Sequence, residues 1–569
     1  MKHLKNIIII PAVLFLFNTV TLQGQSDDGN PKKPSSSNGD KVIVVADYQP
    51  SLSDAHKINM SPSIEEKDIN KPDLKYSISP RLYKTYFEPQ KIVAARLSGE
   101  PLSKLYQSYI RAGFGNYTTP YAELFYNNLR SRTYNLGLHY KHYSSNGKIK
   151  DYGPAGFSDN ILNVYGKQFS GSHIFSGNFM YKRNAFHYYG FEPEKENLVF
   201  NDSLKKATHQ KYQIIEASAS AASNYSDKSK LHHAFDLNFY TLKNENTAEN
   251  AFGFKAMVSK NIDVVSKIED EKIKIDAGFN YYNNPEFSIM QNGAVYFVKP
   301  QLAFRMNQYA LNVGLNTSIE SGDDSYIHFF PIIEGQIGIA KDVLSLYGSF
   351  TGGIERNNVR TLFEDNPFLV SNLDSLHFTK YKAMFSGGIK GNIASVFTFN
   401  LGASFKDAEK MPFFVTDTAE LFNKFNVIYD DVQILTAHAD VSFQATEKFM
   451  LMLGGTFNHY TMGTEEHAWH KPQLKANIIA AYKLVDKINI KAEVYGQDKT
   501  YAKLYNSTND VLPYDIKPFV DVNLALEYLY NKKISAFVNF NNLGGTRYYR
   551  WYSYPSQRFH FLAGMTYAF

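Results

Sequence analysis

The chain has 569 residues, no cysteine and a formal net charge of +5, which falls to +3 once Lys2 and Lys5 leave with a signal peptide. So small a charge argues against nucleic acid or another polyanion as partner. The missing cysteine excludes disulfides, thiolate metal sites and lipid attachment at a processed N-terminal cysteine. No apolar run of about 18 residues follows the N-terminus, which excludes a bundle of membrane helices.

The first 25 residues have the pattern of a secretory signal peptide. A short basic stretch ends at Asn6, and the apolar run from Ile7 to Phe17 is too short to span a bilayer as a helix. Small residues before Gln25 predict cleavage there, which implies export. Residues 26–40 carry no large apolar side chain and are expected to form a disordered linker.

Residues 41–104 differ from both of their neighbours. The run from Val42 to Ala46 is typical of a strand, whereas six prolines between residues 50 and 101 interrupt any longer element. We expect an N-terminal periplasmic or lumenal segment that forms a partial plug.

From Tyr106 onward the chain alternates apolar and polar residues in segments of about ten to thirteen residues. Tyr309, Leu311, Val313 and Leu315, for example, alternate with polar or small neighbours. Alternation fits a soluble sandwich, whose apolar row faces a core, and equally a barrel, whose apolar row faces lipid.

The lengths of the connections favour the barrel. Short turns are predicted near 130–132, 170–172, 226–228, 307–308, 341–342, 392–395, 446–447, 485–486 and 531–532. Longer loops are predicted near 144–158, 186–210, 284–293, 356–378, 407–429, 498–516 and 543–556. Turns on one rim and loops on the other are typical of a membrane barrel. The sequence therefore predicts an all-β fold, a transmembrane antiparallel β-barrel of about 22 strands over residues 105–569. The stretches 262–272 and 411–429 are ambiguous.

The C-terminus supports this architecture. Phe559, Phe561, Met565, Tyr567 and Phe569 fall on one face of a period-2 strand that ends in an aromatic residue. The pattern resembles the C-terminal assembly signal of Gram-negative outer-membrane proteins, which implies insertion into outer-membrane lipid by the assembly machinery. A secreted soluble β-protein is the alternative.

The closing segment also resembles that of TonB-dependent receptors, particularly the receptor-like barrels of Bacteroidetes. The resemblance rests on Asn539 to Leu543, Thr546 to Tyr549, Tyr554-Pro555, Arg558 and the strand from Gly564 to Phe569. It implies a multi-pass barrel in the cell outer membrane that works with TonB. The sequence departs from the pattern at the corner, Pro555-Ser-Gln-Arg558, and about 80 residues before the first strand are too few for a full-length plug.

Two sets of candidate contact residues follow. Val42, Ile43, Val44 and Val45 could add a strand to TonB, although the same run is also simply a strand. Tyr548, Tyr549, Arg550, Trp551 and Tyr552 lie in the last outer loop, where they could contact a ligand or form part of an aromatic girdle at the membrane interface.

No catalytic constellation is found, and no cofactor or metal is expected. His467 and His470 are predicted to be solvated rim residues, with a shared metal as the alternative. The sequence thus predicts a non-enzymatic barrel that passes or captures an unknown solute. The alternative is a structural or assembly subunit that binds other envelope proteins and transports nothing.

Overall fold

The computed structural model describes residues 105–129, 131–199, 201–262, 270–285, 292–322, 324–341, 343–371, 373, 375–394, 396–417, 424–505 and 510–569. The predictions for the signal peptide, the linker and residues 41–104, including Val42 to Val45, lie outside these residues.

Within the described residues, twenty-two antiparallel strands form one closed sheet, as the sequence predicts. The first eleven are β1 Ser108–Gly115, β2 Thr119–Asn127, β3 Tyr134–Ser145, β4 Phe157–Ser170, β5 His173–His187, β6 His209–Ser223, β7 His232–Lys243, β8 Ala248–Ile262, β9 Asp270–Asn283, β10 Gly293–Met306 and β11 Tyr309–Ser321. The other eleven are β12 Ser325–Ala340, β13 Leu344–Arg356, β14 Phe378–Ile393, β15 Phe397–Thr416, β16 Phe425–Thr446, β17 Phe449–Met462, β18 Leu474–Leu484, β19 Ile488–Gln497, β22 Phe519–Leu529, β23 Ile534–Asn541 and β26 His560–Ala568.

Smaller elements lie in the connections. They are the helices α1 Asp202–Thr208 and α2 Val359–Asp365, the hairpin of β20 Thr500–Tyr505 with β21 Val511–Ile516, and the short pair β24 Tyr549–Trp551 and β25 Tyr554–Pro555. Neither helix is long and apolar enough to cross a membrane.

The last strand closes the ring by pairing with the first. Gly564 in β26 lies opposite Gly113 in β1. A Cβ at Gly564 would lie 2.0 Å from the carbonyl oxygen of Ala112, so the close approach of the two strands needs a glycine there. The backbone of Phe569 donates to the carbonyl of Ser108 and accepts from its N–H, each at 3.0 Å. No edge is left at the seam.

Side chains alternate between the outside of the wall and the lumen. The predicted apolar row of β26 points outward, where Met565 is 60% exposed and Phe561, Tyr567 and Phe569 are also exposed. Tyr309, Leu311, Val313 and Leu315 likewise lie on the outside. Exposed apolar rows on the outside of a closed sheet are what a lipid-facing wall requires.

The rim that holds Phe569 is called the inner rim here, and the opposite one the outer rim. All nine predicted short turns lie between strands that meet at the inner rim, where the end of β8 and the start of β9 also lie. The predicted rhythm of short and long connections is not strict, because three outer-rim connections, 116–118, 244–247 and 322–324, are also short.

The prediction of a loop over residues 407–429 is wrong for most of these residues. β15 and β16 run through it as an arm of 20 and 22 residues, joined by residues 417–424. A β-bulge between Ala408 and Met411, with Lys410 at φ +54°, shifts the register and breaks the period-2 pattern. Beyond it Phe413 and Phe414, on opposite faces, are both fully buried, so no alternation remains to be read.

The orientation of the wall can be tested with two neighbouring residues near the middle of β18. Ile478 points outward and is 43% exposed, whereas Asn477 lies on the lumen side, where its Oδ1 approaches Gly454. Ile478→Arg should destabilise the barrel by about 2–4 kcal/mol because it places a charge in lipid, and Asn477→Arg should be tolerated. Urea unfolding in lipid vesicles measures both. A larger loss for Asn477→Arg would invert the assignment of the two faces.

Candidate functional site

Loops of the outer rim pack against one another, against the arm and against the lumen side of the wall. Three outer-rim segments, residues 357–377, 463–473 and 542–559, turn toward the mouth and are called the cap. Residues of the first and third segments form a buried apolar cluster with the arm and with lumen-side residues of β6, β7 and β8. Its members are Tyr212, Ile214, Tyr240, Leu242, Ala251, Val359, Leu362, Phe363, Leu369, Leu373, Leu376, Phe414, Phe425 and Tyr554.

The helix α2 brings the first segment of the cap onto the wall. Asn358 caps the helix, since its side chain accepts the N–H of Thr361 at 2.8 Å. Val359, Leu362 and Phe363 share one face at helical spacing and are buried against the lumen sides of β6, β7 and β8. The short helix therefore depends on this packing.

A buried carboxylate fixes the start of α2. Glu249 in β8 is fully buried, and its Oε2 accepts the N–H of Val359 at 2.8 Å and the Nδ2–H of Asn284 at 3.0 Å. Its Oε1 accepts the hydroxyl of Tyr240 at 2.7 Å and the N–H of Arg360 at 3.2 Å. Four donors satisfy both oxygens, so the wall and the cap share one hydrogen-bonded centre.

Ion pairs border this centre. The guanidinium of Arg360 lies 2.8 Å from Glu216 of β6 and 3.5 Å from Glu364 of α2. Lys182 of β5 lies 3.5 Å from Glu364. These groups are partly exposed, and each such pair contributes at most about 1 kcal/mol. These ion pairs therefore contribute more to the orientation of α2 than to its stability.

The other end of the first segment pairs with the arm. Leu369 forms a parallel bridge with Phe425, and the N–H of Val370 donates to the Phe425 carbonyl at 2.8 Å. The ring of Phe368 stacks on Tyr554 of the third segment, with centroids 3.7 Å apart. The segment thus crosses from the β6–β8 wall to the β15–β16 arm.

His470 joins the remaining parts of the cap. Its Nδ1–H donates to the carbonyl of Phe414 at 3.0 Å, and its Nε2 accepts the N–H of Tyr552 at 3.4 Å. The backbone N–H of His470 donates to the carbonyl of Tyr501 at 2.8 Å. Burial lowers the pKa of His470 to about 4, so the ring is neutral at pH 7 and can both donate and accept.

The prediction that His467 and His470 are solvated rim residues is wrong for His470, which is buried. Trp469 is fully buried in a second apolar cluster against the arm, and its indole N–H donates to Glu465 at 2.6 Å. His467 stacks on Tyr501 with centroids 3.9 Å apart. Among the described residues no three His, Asp or Glu side chains are grouped to hold a metal ion.

The predicted contact residues of the last loop lie inside the mouth. Trp551 packs against His470, Phe414 and Phe425, with ring centroids 5.1 to 5.5 Å apart. This packing places Trp551 in the cap rather than in a lipid-facing girdle.

The other predicted contact residues line the space around it. Tyr548 stacks on Phe519 and donates to Asp521, the hydroxyl of Tyr549 lies 3.1 Å from that of Tyr152, Arg550 lies over Tyr495, and Tyr552 meets Tyr514 edge-on. The loop is therefore tied to the wall and to neighbouring loops. Contact of these five residues with a ligand remains a prediction.

The sequence analysis missed Glu249. A single Glu near the end of an alternating strand is indistinguishable from a solvated rim residue, and its partners come from three other elements. The only local signal is the Asn357-Asn358 pair that starts α2.

Comparisons with known proteins place the fold. The sequence matches no protein-family model and no curated protein. The structure is similar to the ferripyoverdine receptor of the outer membrane of Pseudomonas aeruginosa, at 12% identity and a TM-score of 0.61 over 82% of this chain and 72% of that one. The fold is that of outer-membrane receptor barrels.

Two other receptors show the same similarity. The ferric-catecholate import receptor Fiu of E. coli has 10% identity and a TM-score of 0.62 over 82% of each chain. The siderophore receptor PirA of Acinetobacter baumannii has 8% identity and a TM-score of 0.60 over 82% of this chain and 81% of that one.

Replacing Glu249 should release α2. Glu249→Ala leaves four donors without their acceptor, and we expect the cap to lose about 3 kcal/mol, or roughly hundredfold in protection. Hydrogen exchange of the amides in 357–377 measures this loss. Glu245→Ala, at an exposed position in the preceding turn, is the control. Equal exchange in the two variants would show that Glu249 does not hold the cap.

The cap should weaken in acid. The pKa of His470 in the folded cap, about 4, lies below its ordinary value of 6.5. As pH falls, the ring is therefore protonated in the unfolded segment before it is protonated in the folded one. The neutral ring of His470 contributes up to about 3 kcal/mol to the stability of the cap at neutral pH. This contribution is lost as pH falls from 6.5 toward 4.

Intrinsic fluorescence measures this change, because Trp469 and Trp551 are the only tryptophans of the chain and both lie in the cap. Acrylamide quenching should rise between pH 6.5 and 4. In His470→Asn, which keeps a residue that tolerates the positive φ but does not titrate, that rise should be absent. An identical rise in both proteins would assign the transition to another group.

Proposed function

We propose that the protein is an outer-membrane receptor or transporter that captures a solute at its outer face and passes it through the barrel, with the cap as an outer gate. One observation carries this proposal. The cap packs on the wall and the arm of a wide barrel through two buried polar centres, Glu249 and His470, and the lumen wall carries polar side chains.

The similar structures support the direction of this proposal. They are a ferripyoverdine receptor, a ferric-catecholate import receptor and a siderophore receptor. For this chain we propose the same class of role with a different, unnamed solute, since 8% to 12% identity carries the fold alone.

The N-terminal part belongs to the same proposal. Residues 41–104 act as a partial plug in the lumen, and Val42, Ile43, Val44 and Val45 add a strand to TonB. Insertion into outer-membrane lipid depends on the assembly machinery, which recognises the row from Phe559 to Phe569. Together, these proposed features match a receptor-like barrel of the type found in Bacteroidetes that lacks a full-length plug.

A structural or assembly subunit is the second candidate. It is favoured by the complete burial of Val359, Leu369 and Trp469, which makes the cap resemble a folded core. Such a subunit would bind other envelope proteins and keep its mouth closed.

Conductance in planar bilayers separates the two functions. A 22-stranded wall leaves a lumen too wide for its own side chains to fill. In this proposal the cap and residues 41–104 close that lumen, so we expect the full-length protein to conduct poorly. Replacing 357–377 by a short Gly-Ser linker removes one barrier, and deleting 41–104 removes the other. Each single variant should open partly, and the double variant should form a large, steady channel.

The control shortens the exposed tip at 194–197, which lies outside the cap clusters. It should conduct like the full-length protein. If the double variant folds, shown by its heat-dependent gel mobility, and stays closed, the gate is wrong. If uptake is absent and the protein purifies in a stable complex with envelope proteins, the structural function replaces transport.

A further inference from the structure

A serine, a histidine and an asparagine on the outside of the wall are joined by two hydrogen bonds. The hydroxyl of Ser144 donates to Nε2 of His142 at 3.1 Å, and Nδ1–H of His142 donates to Oδ1 of Asn160 at 2.7 Å. Ser144 and His142 share one face of β3, and Asn160 lies directly opposite His142 in β4. A nucleophile beside a base that a third group orients is the arrangement of serine hydrolases. The sequence alone did not reveal it, because the asparagine comes from another strand.

The asparagine decides which nitrogen of the histidine ring carries the proton. Nδ2–H of Asn160 donates to the hydroxyl of Ser158 at 3.2 Å, which leaves Oδ1 to face His142. Because this oxygen can only accept, Nδ1 of His142 is protonated and Nε2 carries the lone pair. The lone pair is therefore directed at the hydroxyl of Ser144, as a general base requires. An amide orients the ring without placing a charge beside lipid, where a carboxylate would be costly.

The three side chains lie on the lipid side of the wall, near the outer rim. They share the face of Tyr134, Leu136 and Tyr140, which are exposed on the outside of β3. From Tyr134 at the inner-rim end to Ser144, a strand tilted by about 40° rises roughly 25 Å along the membrane normal. The apolar band of an outer-membrane barrel is about 25 Å tall, so Ser144 lies at its outer interface. The ester bonds of membrane lipids lie at this depth, between the headgroups and the acyl chains.

A cation lies beside the asparagine on the same face. Arg183 of β5 is directly opposite Asn160, so the two side chains both point outward. In the part of the chain that the structure describes, the guanidinium of Arg183 makes no ion pair or hydrogen bond. The phosphate of a lipid headgroup is an anion that lies at this depth, and a guanidinium binds phosphate through two parallel N–H groups.

We propose that Ser144 and His142 form a second site, separate from the cap and the lumen, that hydrolyses an acyl ester of a phosphate-bearing membrane lipid. Oγ of Ser144 attacks the ester carbonyl while Nε2 of His142 takes the hydroxyl proton. His142 gives this proton to the departing alkoxide, which leaves as a lysolipid, and the acyl group stays on Ser144. Water then attacks this acyl ester, and His142 takes a proton from the water and returns it to Ser144 as the fatty acid leaves. Asn160 is a positioning residue, and Arg183 selects the phosphate.

Reconstitution of the full-length protein in lipid vesicles tests this proposal. Vesicles of phosphatidylglycerol and phosphatidylethanolamine, with and without lipopolysaccharide, should release fatty acid and lysolipid, and mass spectrometry of the products identifies which lipid is the substrate. Ser144→Ala and His142→Ala should each lower the release at least roughly hundredfold. His139→Ala is the matched control and should leave the release unchanged, because His139 lies on the same strand but pairs with Glu123 on the lumen side.

Further measurements separate catalysis from folding. A long-chain alkyl fluorophosphonate should form a covalent adduct on Ser144, seen as a mass shift of its peptide, and His142→Ala should slow this labelling. Asn160→Asp, which keeps the acceptor oxygen, should retain most of the release that Asn160→Ala loses. Arg183→Gln should slow hydrolysis of phosphatidylglycerol roughly tenfold but leave hydrolysis of p-nitrophenyl octanoate, which has no phosphate, unchanged.

The outcomes are independent of the proposed function. Heat-dependent gel mobility shows that each variant forms the barrel. Absence of fatty acid release from every vesicle, or release that Ser144→Ala leaves unchanged, rejects the hydrolytic site. Equal slowing of both substrates by Arg183→Gln rejects selection of the phosphate. The conductance of the deletion variants judges the gate alone, because this site lies on the outside of the wall.

Discussion

Lipid offers no hydrogen-bond partner to the edge of a sheet, so a wall of strands can cross it only as a closed ring. Here the ring closes where β26 meets β1, through the backbone of Phe569 and the close approach of Gly113 and Gly564. Closing 22 strands creates a lumen that the inward side chains cannot fill. The rest of the structure follows from this width, because a barrel that is not an open pore must close its mouth with other segments.

The cap combines two kinds of interaction. Its apolar cluster supplies most of the burial, whereas Glu249 and His470 fix where the segments meet the wall. Burying a carboxylate or an imidazole is costly unless its hydrogen bonds are complete, and here both are satisfied by groups from different segments. Removing one partner, or adding a proton to His470, therefore weakens the whole arrangement.

Much of the wall could be predicted from the sequence, because lipid requires period-2 rows such as Tyr309 to Leu315 and short turns between them. The arm of β15 and β16 could not, since the bulge at Lys410 breaks the period and Phe413 and Phe414 are buried on both faces. The cap was missed for a different reason. The partners of Glu249 and His470 are distant in sequence, and a lone Glu or a His-rich loop has the same local pattern when it is solvated.

Movement of the cap relative to the wall tests the central claim most directly. Because the chain has no cysteine, spin labels can be placed at Glu364→Cys in α2 and Glu245→Cys in the turn between β7 and β8. Their distance distribution in lipid nanodiscs should be narrow at pH 7 and should broaden to longer distances at pH 5 or when Glu249→Ala is added. A narrow, unchanged distribution under all three conditions would contradict a gate and favour a permanently closed barrel.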